Sequence, residues 1–402
     1  MNADSLQVRT YRSIDELRSI APMWNDLLAD YPPATNFSTL EWLIPWWRAF
    51  GTNQKLLVFG FFADTRLIGL APLSISAFPI GKIFSLRLLR LMGDGSKDSD
   101  NLDLPVRTGF EESFAGALVR FLEGERKSWD FCELNTLPPL SPGANALRKL
   151  IEQKKWVVTE GRTPTSAISL PATWEEYLKQ LSSKERGKVG LRARRLEKKC
   201  EVRIRKCTGE SEIDPLLQAL YELHGKHWQA RGLPGTLHSP ARRQFYGELA
   251  RLLLRQRQLE LWALELNGKI AAAQFGLRYG TTLFSLQEGF DPEFASDSVG
   301  YVLRSQVLKQ AIGDGIRRYD FLGGADESKL RWGAEMGHYL NLSFAPPFSG
   351  GAAYLRTRGS AGKSKAWLRR NLPAPAWEVL HRINMGLKGT GRGNQSSVAA
   401  EE

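Results

Sequence analysis

Cysteine is nearly absent from this 402-residue chain: there are three, Cys132, Cys200 and Cys207. They form no CxxC pair and fit no metal spacing, so a disulfide framework and a cysteine-built metal centre are both excluded. Reduced thiols in a cytoplasmic protein are the expectation, and no metal is expected. Long apolar runs are missing as well. No stretch of about eighteen apolar residues occurs, so no helix should span a bilayer. The first twenty residues, Met1 to Ile20, carry scattered charges and no apolar centre, which argues against a secretory leader. Acidic residues are in deficit: 43 Asp and Glu stand against 55 Lys and Arg, a net charge of +12. The surplus falls in two blocks, Lys184 to Lys199 and the segment beyond Arg356. Such blocks suit phosphate groups, an anionic lipid surface or RNA; the alternative is a pair of solvated basic faces.

What is present is a globular composition, 42% hydrophobic and 24% charged, with room for two domains. One β-hairpin pattern occurs twice. Leu56 to Ala63 runs into the turn Asp64-Thr65-Arg66 and then Leu67 to Leu73. Leu259 to Leu266 runs into Asn267-Gly268-Lys269 and then Ile270 to Leu277. Asn-Gly between apolar runs is a strong hairpin signal. Self-similarity at half the chain length points to a duplicated fold.

The pattern divides the chain into residues 1–165, residues 166–347 and a basic tail, 348–402. In the first part, Ser13 and Glu16 form a capping box that opens a helix. Ser38 or Thr39 caps another, which puts Trp42 and Trp46 on one face. A polar loop, Gly93 to Asn101, precedes a strand at Leu102–Val106. A helix is expected over Glu111–Leu122 and a strand over Trp129–Leu134; Pro138, Pro139 and Pro142 then break the chain. In the second part a short strand, Ala167–Leu170, leads to a helical region from Trp174 to Lys199, which Gly187 and Gly190 weaken and divide. Helices at Ile213–Arg231 and Pro240–Arg257 precede the second hairpin. A third strand, a helix and a fourth strand follow it.

The segment from Glu288 to Leu303 joins a strand to a helix. Ser298 is placed to cap that helix, and Gly300 lets a ligand approach the backbone closely. A helix start of this kind is a seat for a pyrophosphate. Leu303, Val307 and Ala311 form the buried stripe, widened by Leu308 and Ile312. His224 and His227 lie one helical turn apart beside Trp228; no third ligand accompanies them, so an amine-binding or packing role is favoured over metal.

The order of "Asn-Gly-Lys-Ile-Ala-Ala-Ala", "Glu-Gly-Phe-Asp-Pro-Glu-Phe", "Ser-Val-Gly-Tyr-Val-Leu" and "Tyr-Asp-Phe-Leu-Gly-Gly…Lys-Leu-Arg-Trp-Gly" resembles the GNAT acyltransferase superfamily. It resembles most the CelD-like (BioF2-like) branch linked to exopolysaccharide and cell-envelope synthesis, a relative of the Fem aminoacyltransferases. "Phe-Ser-Thr-Leu-Glu-Trp-Leu-Ile-Pro-Trp-Trp", "Leu-Ile-Gly-Leu-Ala-Pro-Leu" and "Leu-Ser-Ser-Lys-Glu-Arg-Gly-Lys-Val" add to the likeness, which covers roughly residues 10 to 345. It implies an α/β fold of the mixed-sheet α+β kind: tandem duplicated GNAT-like domains with a basic helical C-terminal tail. The first domain would support; the second would work.

The resemblance further implies acyl transfer from a thioester carrier to an amine. Glu288, at the end of the central strand, is placed as base, with His224 beside the acceptor and Tyr301 as proton donor to the leaving thiolate. Gln287, Ser298, Val299, Gly300 and Tyr301 fall on the donor side. His227, Trp228, Asp320, Gly323, Lys329 and Trp332 fall on the acceptor side. The family's phosphate loop has Gln or Arg, two residues, Gly, one residue, then Gly or Ala. Ser296 to Val302 keeps only one glycine and adds Asp297. The donor therefore stays open among acetyl-CoA, a longer acyl-CoA, an acyl carrier protein and aminoacyl-tRNA.

The tail sets nine cations between Arg356 and Arg392 against a single acid, Glu378, with Trp367 and Trp377 among its apolar anchors. That mixture suits an anionic membrane surface. The expected function is N-acylation, from acyl-CoA, of an amine on an envelope glycan, exopolysaccharide precursor or amino-lipid. The expected place is the cytoplasm, at the inner face of the membrane, with polysaccharide-synthesis enzymes as partners. Two rivals remain: a Fem-like aminoacyl-tRNA-dependent transferase, the only case calling for nucleic acid, and an inactive GNAT-fold glycan-binding module.

Overall fold

The computed structural model describes residues 6–359, apart from 82–83, 230–234, 236 and 325. The first half opens with β1 (Gln7–Tyr11), α1 (Ile14–Ser19), α2 (Ala21–Ala29) and α3 (Leu40–Phe50). The Ser13–Glu16 capping box forms as expected. Thr39 sits at the start of α3 but makes no side-chain cap; its hydroxyl donates to Asn36 O at 2.7 Å. Trp42 and Trp46 are fully buried, and their indole N–H groups donate to Ser99 and Ser96 at 2.9 and 2.8 Å. The polar loop 93–101 is thereby tied to α3, which is why buried indoles are tolerated.

Next come β2 (Gln54–Ala63), β3 (Arg66–Ile80), β4 (Phe84–Leu91), α4 (Glu111–Gly124), β5 (Phe131–Leu137), α5 (Pro142–Gln153) and β6 (Val157–Ser169). Three expectations are corrected here. Residues 102–106 form no strand: Pro105 has no N–H to give, and only an isolated Gly69–Val106 bridge remains. Pro142 does not end structure but occupies the first turn of α5, with Ser141 as cap. The short strand at 167–170 is the end of a 13-residue β6, whose earlier residues are mostly exposed and carry little apolar signal. Residue 165 therefore lies inside a strand.

Two helices, α6 (Trp174–Gln180) and α7 (Ser183–Glu197), link the halves. The break falls at Leu181–Ser182, where the Ser182 hydroxyl accepts the Glu185 N–H, and not at Gly187 or Gly190. The second half runs β7 (Val202–Lys206), α8 (Glu210–Gln229), α9 (Pro240–Arg255), β8 (Leu259–Leu266), β9 (Lys269–Tyr279), β10 (Thr282–Phe290), α10 (Val299–Gly313), β11 (Arg318–Gly323), α11 (Glu327–Leu330) and β12 (Glu335–Ala345). β12 is an element the sequence reading did not foresee. A helix over 350–359 follows it. The rest of the tail lies outside the described residues.

All twelve strands form one sheet, ordered β1-β2-β3-β4-β5-β12-β6-β11-β10-β9-β8-β7. Each half has the same pattern: antiparallel neighbours up to β4 or β10, then a parallel step, β4 to β5 or β10 to β11. The last strand of each half crosses over. β6 pairs with β11 of the second half, β12 pairs with β5 of the first, and the two pair with each other. This is a tandem duplicated fold with exchanged terminal strands. Aromatic packing closes the seam, with Phe37 against Phe284 and Trp42 against Phe245.

Candidate active site

β10 and β11 pair in parallel over three rungs only, Thr282–Arg318 to Phe284–Asp320. Each strand then bulges away from the other. β10 shifts register on β9 between Ser285 and Gln287, and β11 shifts on β6 between Asp320 and Gly323. Leu322 holds a positive φ of 62°, strained for a branched side chain. Asp320 fixes that bulge: it accepts the Leu322 N–H at 2.8 Å and an Arg318 N–H at 3.1 Å. The strands part as a result, and a cavity of about 540 Å³ opens at the end of β10, walled by α7, α8, the start of α10 and the segment of α11 that follows β11.

The start of α10 forms one wall. Its first intrahelical bond runs from Val302 N to Ser298 O, so the amides of Val299, Gly300 and Tyr301 precede the ladder. Ser298 does not cap with its side chain; it turns the chain in a left-handed conformation, φ 58°. A Cβ on Gly300 would meet Phe290 at an ordinary 3.5 Å, so packing alone does not demand glycine there. Asp297 is neutralised by Lys199. From α7, Lys188 and Arg192 face the cavity. Lys188 pairs with Glu185, whereas Arg192 lies 4.2 Å over the Tyr301 ring and has no carboxylate partner among the described residues. Tyr301 in turn stacks on Trp332 at 4.2 Å. Burial pushes the Tyr301 phenol up to about 12, so it holds its proton at neutral pH.

Glu288 forms the floor. Arg304, one turn into α10, reaches back to grip it: Nε donates to Oε1 at 3.2 Å and Nη2 donates to Oε2. Ser285 Oγ adds a third donor at 3.2 Å. The guanidinium also covers the Phe321 and Trp332 rings. Across the cavity, His224 Nδ1 lies 3.3 Å from Glu288 O. That approach depends on Gly289, where a Cβ would stand 2.7 Å from His224 N. Lys329 donates to Gly323 O at 3.2 Å and Gly324 O at 3.1 Å, and desolvation holds its amine below the usual lysine range. Asp100, from the first half, accepts the Gly323 N–H at 2.9 Å.

Most of the residues singled out from sequence therefore meet. Gln287, Glu288, His224, Trp228, Ser298, Val299, Gly300, Tyr301, Lys329 and Trp332 all line this cavity. Asp320 and Gly323 lie behind it, shaping β11. His227 is on α8, and its side chain lies outside the described residues. Sequence reasoning missed Arg192 and Arg304. Arg304 had one signal, a cation set between the buried residues Leu303 and Ser305 of its helix.

The first half offers a contrast. Its parallel rungs end at Arg90–Glu133, which places Asp94 where the second half has Glu288. Asp94 is bonded to Asn135 Nδ2 at 2.9 Å, and the preceding Gly93 packs against Leu102 and Leu43. The 93–103 loop fills this end.

Residues 183–330 match the family model of the acetyltransferase (GNAT) domain. Solved structures similar to the chain include that of FemX, at 11% identity and a TM-score of 0.60 over 84% of this chain and 97% of that one. They also include the C-terminal domain (DUF2156) of a putative lysylphosphatidylglycerol synthetase from Agrobacterium fabrum, at 12% identity and a TM-score of 0.49 over 87% and 96%. A tandem GNAT protein from the clavulanic acid biosynthesis pathway follows at 12% and 0.43 over 85% and 99%. No curated protein matches the sequence. Residues 183–330 are thus similar to an acetyltransferase (GNAT) domain, set in an overall fold shared with FemX.

Proposed function

We propose that this acyltransferase moves an acyl group from acyl-CoA to an amine borne by an envelope glycan, an exopolysaccharide precursor or an amino-lipid. The observation that carries this reading is the fork itself: the amides at the start of α10 that precede its hydrogen-bond ladder, and Arg192, which has no carboxylate partner among the described residues, adjoin the Glu288 carboxylate in one cavity. Acyl-CoA supplies an activated thioester carbonyl and a pyrophosphate. Arg192, Lys188 and the amides of Val299 and Gly300 bind the anionic part. Glu288 accepts the acceptor's ammonium proton through water, in a direction set by Arg304. His224 and Trp228 hold the acceptor on the α8 side, and Lys329 on the α11 side. The Tyr301 hydroxyl, which now donates to Glu185 O at 3.5 Å, returns a proton to the leaving sulfur. Proximity and base catalysis together provide the rate.

One observation favours a second donor. On α7, Lys184, Arg186, Arg194 and Arg195 are exposed around the helix, a density of cations suited to RNA phosphates and hence to aminoacyl-tRNA. The basic tail, read from sequence, adds an affinity for anionic membrane. Calorimetric titration with CoA, acetyl-CoA and a long-chain acyl-CoA tests the donor. Heat with an acyl-CoA, abolished by Arg192→Glu, is the expected outcome. No heat with any thioester, together with tight binding of aminoacyl-tRNA that weakens steeply with salt, would transfer the role to tRNA.

A further inference from the structure

The β3–β4 hairpin outruns its sheet. β2 follows β3 only as far as Ser76, and β5 joins β4 only from Leu88. The four rungs beyond, Ala77–Arg87 to Ile80–Phe84, form a two-stranded ribbon paired with nothing else. Alternation puts Phe78, Ile80, Phe84 and Leu86 on one face. The inner part of that face is covered: Phe78 touches Phe131 and Tyr354 with ring centroids 5.3 and 5.2 Å apart. The outer part is not, and Phe84 is 73% exposed. The chain after β12 reaches the ribbon where Gly350 adjoins Leu86, and two residues before that Phe348 is 98% exposed and held at a positive φ of 58°, a strained conformation for an aromatic residue.

Cations rim this apolar end. Arg126 donates to Pro347 O at 3.4 Å, next to Phe348, and Lys127 beside it is exposed. Arg87 and Arg358 flank the ribbon, balanced by Asp130 and Glu133. The helix over 350–359, which carries Tyr354 and Arg358, is also where the chain leaves for its basic, tryptophan-bearing segment. Exposed aromatic residues with Arg126 at Pro347 and Lys127 at Arg87 complement one surface chemically: apolar chains beneath anionic headgroups.

We propose that this end of the folded body docks on an anionic phospholipid bilayer. Ile80, Phe84 and Phe348 enter the interface, and Arg126 and Lys127 meet the headgroups. The proposal is separate from the choice of acyl donor, and it adds a structured contact to whatever the tail contributes. The test is co-sedimentation of the full chain with vesicles of phosphatidylglycerol and phosphatidylcholine, against phosphatidylcholine alone. The parent should pellet only with the anionic vesicles. Phe84→Asp with Phe348→Asp should cut partitioning about tenfold or more, with unchanged urea unfolding. Phe84→Ser with Phe348→Ser, which adds no charge, should give most of the same loss. A tail variant, Lys363, Lys365, Arg369 and Arg370 all to Gln, should weaken binding independently. The proposal fails if both aromatic pairs of substitutions leave pelleting unchanged, even where the tail variant abolishes it. It fails equally if the parent ignores anionic vesicles, or if light scattering shows a lipid-free dimer that the Asp variant dissolves.

Discussion

Glu288 and Arg304 show how one residue defines another's task. A carboxylate held by three donors has a fixed direction, which base catalysis through an ordered water requires. Glu288→Gln keeps the shape but removes the proton acceptor, so turnover should fall about 10²-fold or more while acyl-CoA affinity in calorimetry barely changes. Arg304→Met should instead lower both turnover and stability, the latter by about 1–3 kcal/mol in urea unfolding, because the floor loses a charge-assisted clamp. Asp100 and Asp103 give a pH signature. Burial pushes each carboxyl up to about 6, whereas an aspartate in the unfolded chain titrates at about 3.9. Folding thus favours their protonated forms. Their contribution to stability is complete below about pH 4 and is lost as pH rises through about 6. Asp100→Asn should therefore lose less stability than the parent between pH 4 and 7 in urea titrations. At this scale the sequence was informative where a cavity-lining residue sits at an element boundary, as at Glu288, Ser298 and Lys329. It did not single out Arg304, whose grip on Glu288 needs the turn between β10 and α10 to fold back, nor Arg192 within its basic block, whose Tyr301 partner lies on a remote element.

Between elements, glycine decides distance. Gly289 lets the α8 backbone rest on β10 and so brings His224 over the fork. Gly289→Ala places a methyl group against main chain that cannot yield, and should cost about 1–3 kcal/mol and slow turnover as α8 shifts. Gly300→Ala meets only Phe290 at contact distance and should be close to neutral in stability. Stability and kinetics of the two variants, measured side by side, check this contrast. Hairpins were the most legible elements, because β2–β3 and β8–β9 are buried on both faces and joined by turn residues; Asn267 and Gly268 both take the positive φ that such a turn needs. β6 and β12 were hidden for the opposite reason. In each, exposed and half-buried residues run together in the first part and buried ones in the last, so no period of two survives in the apolar pattern. α5 was hidden by Pro142, which begins the helix instead of ending a segment.

Taken whole, the molecule is a single sheet whose halves have traded their last strands. Duplication was visible in the paired hairpins, but the trade was not, since register between remote strands leaves no local mark. Hydrogen bonds and packing cross the seam at Asp98–Arg242, Asn36–Gln258 and Asp100–Gly323. Unfolding in urea should thus be one transition, with coincident tryptophan fluorescence and circular dichroism. Two separable steps would mean that the halves stand alone.

The place of β12 also constrains the order of assembly. β5 and β6 are synthesised early, yet the slot between them is closed by residues 335–345. Until those residues leave the ribosome, the nascent chain carries two raw sheet edges facing an empty lane, the kind of surface that recruits the wrong partner. A message truncated before that point would yield a sticky product rather than a smaller working enzyme.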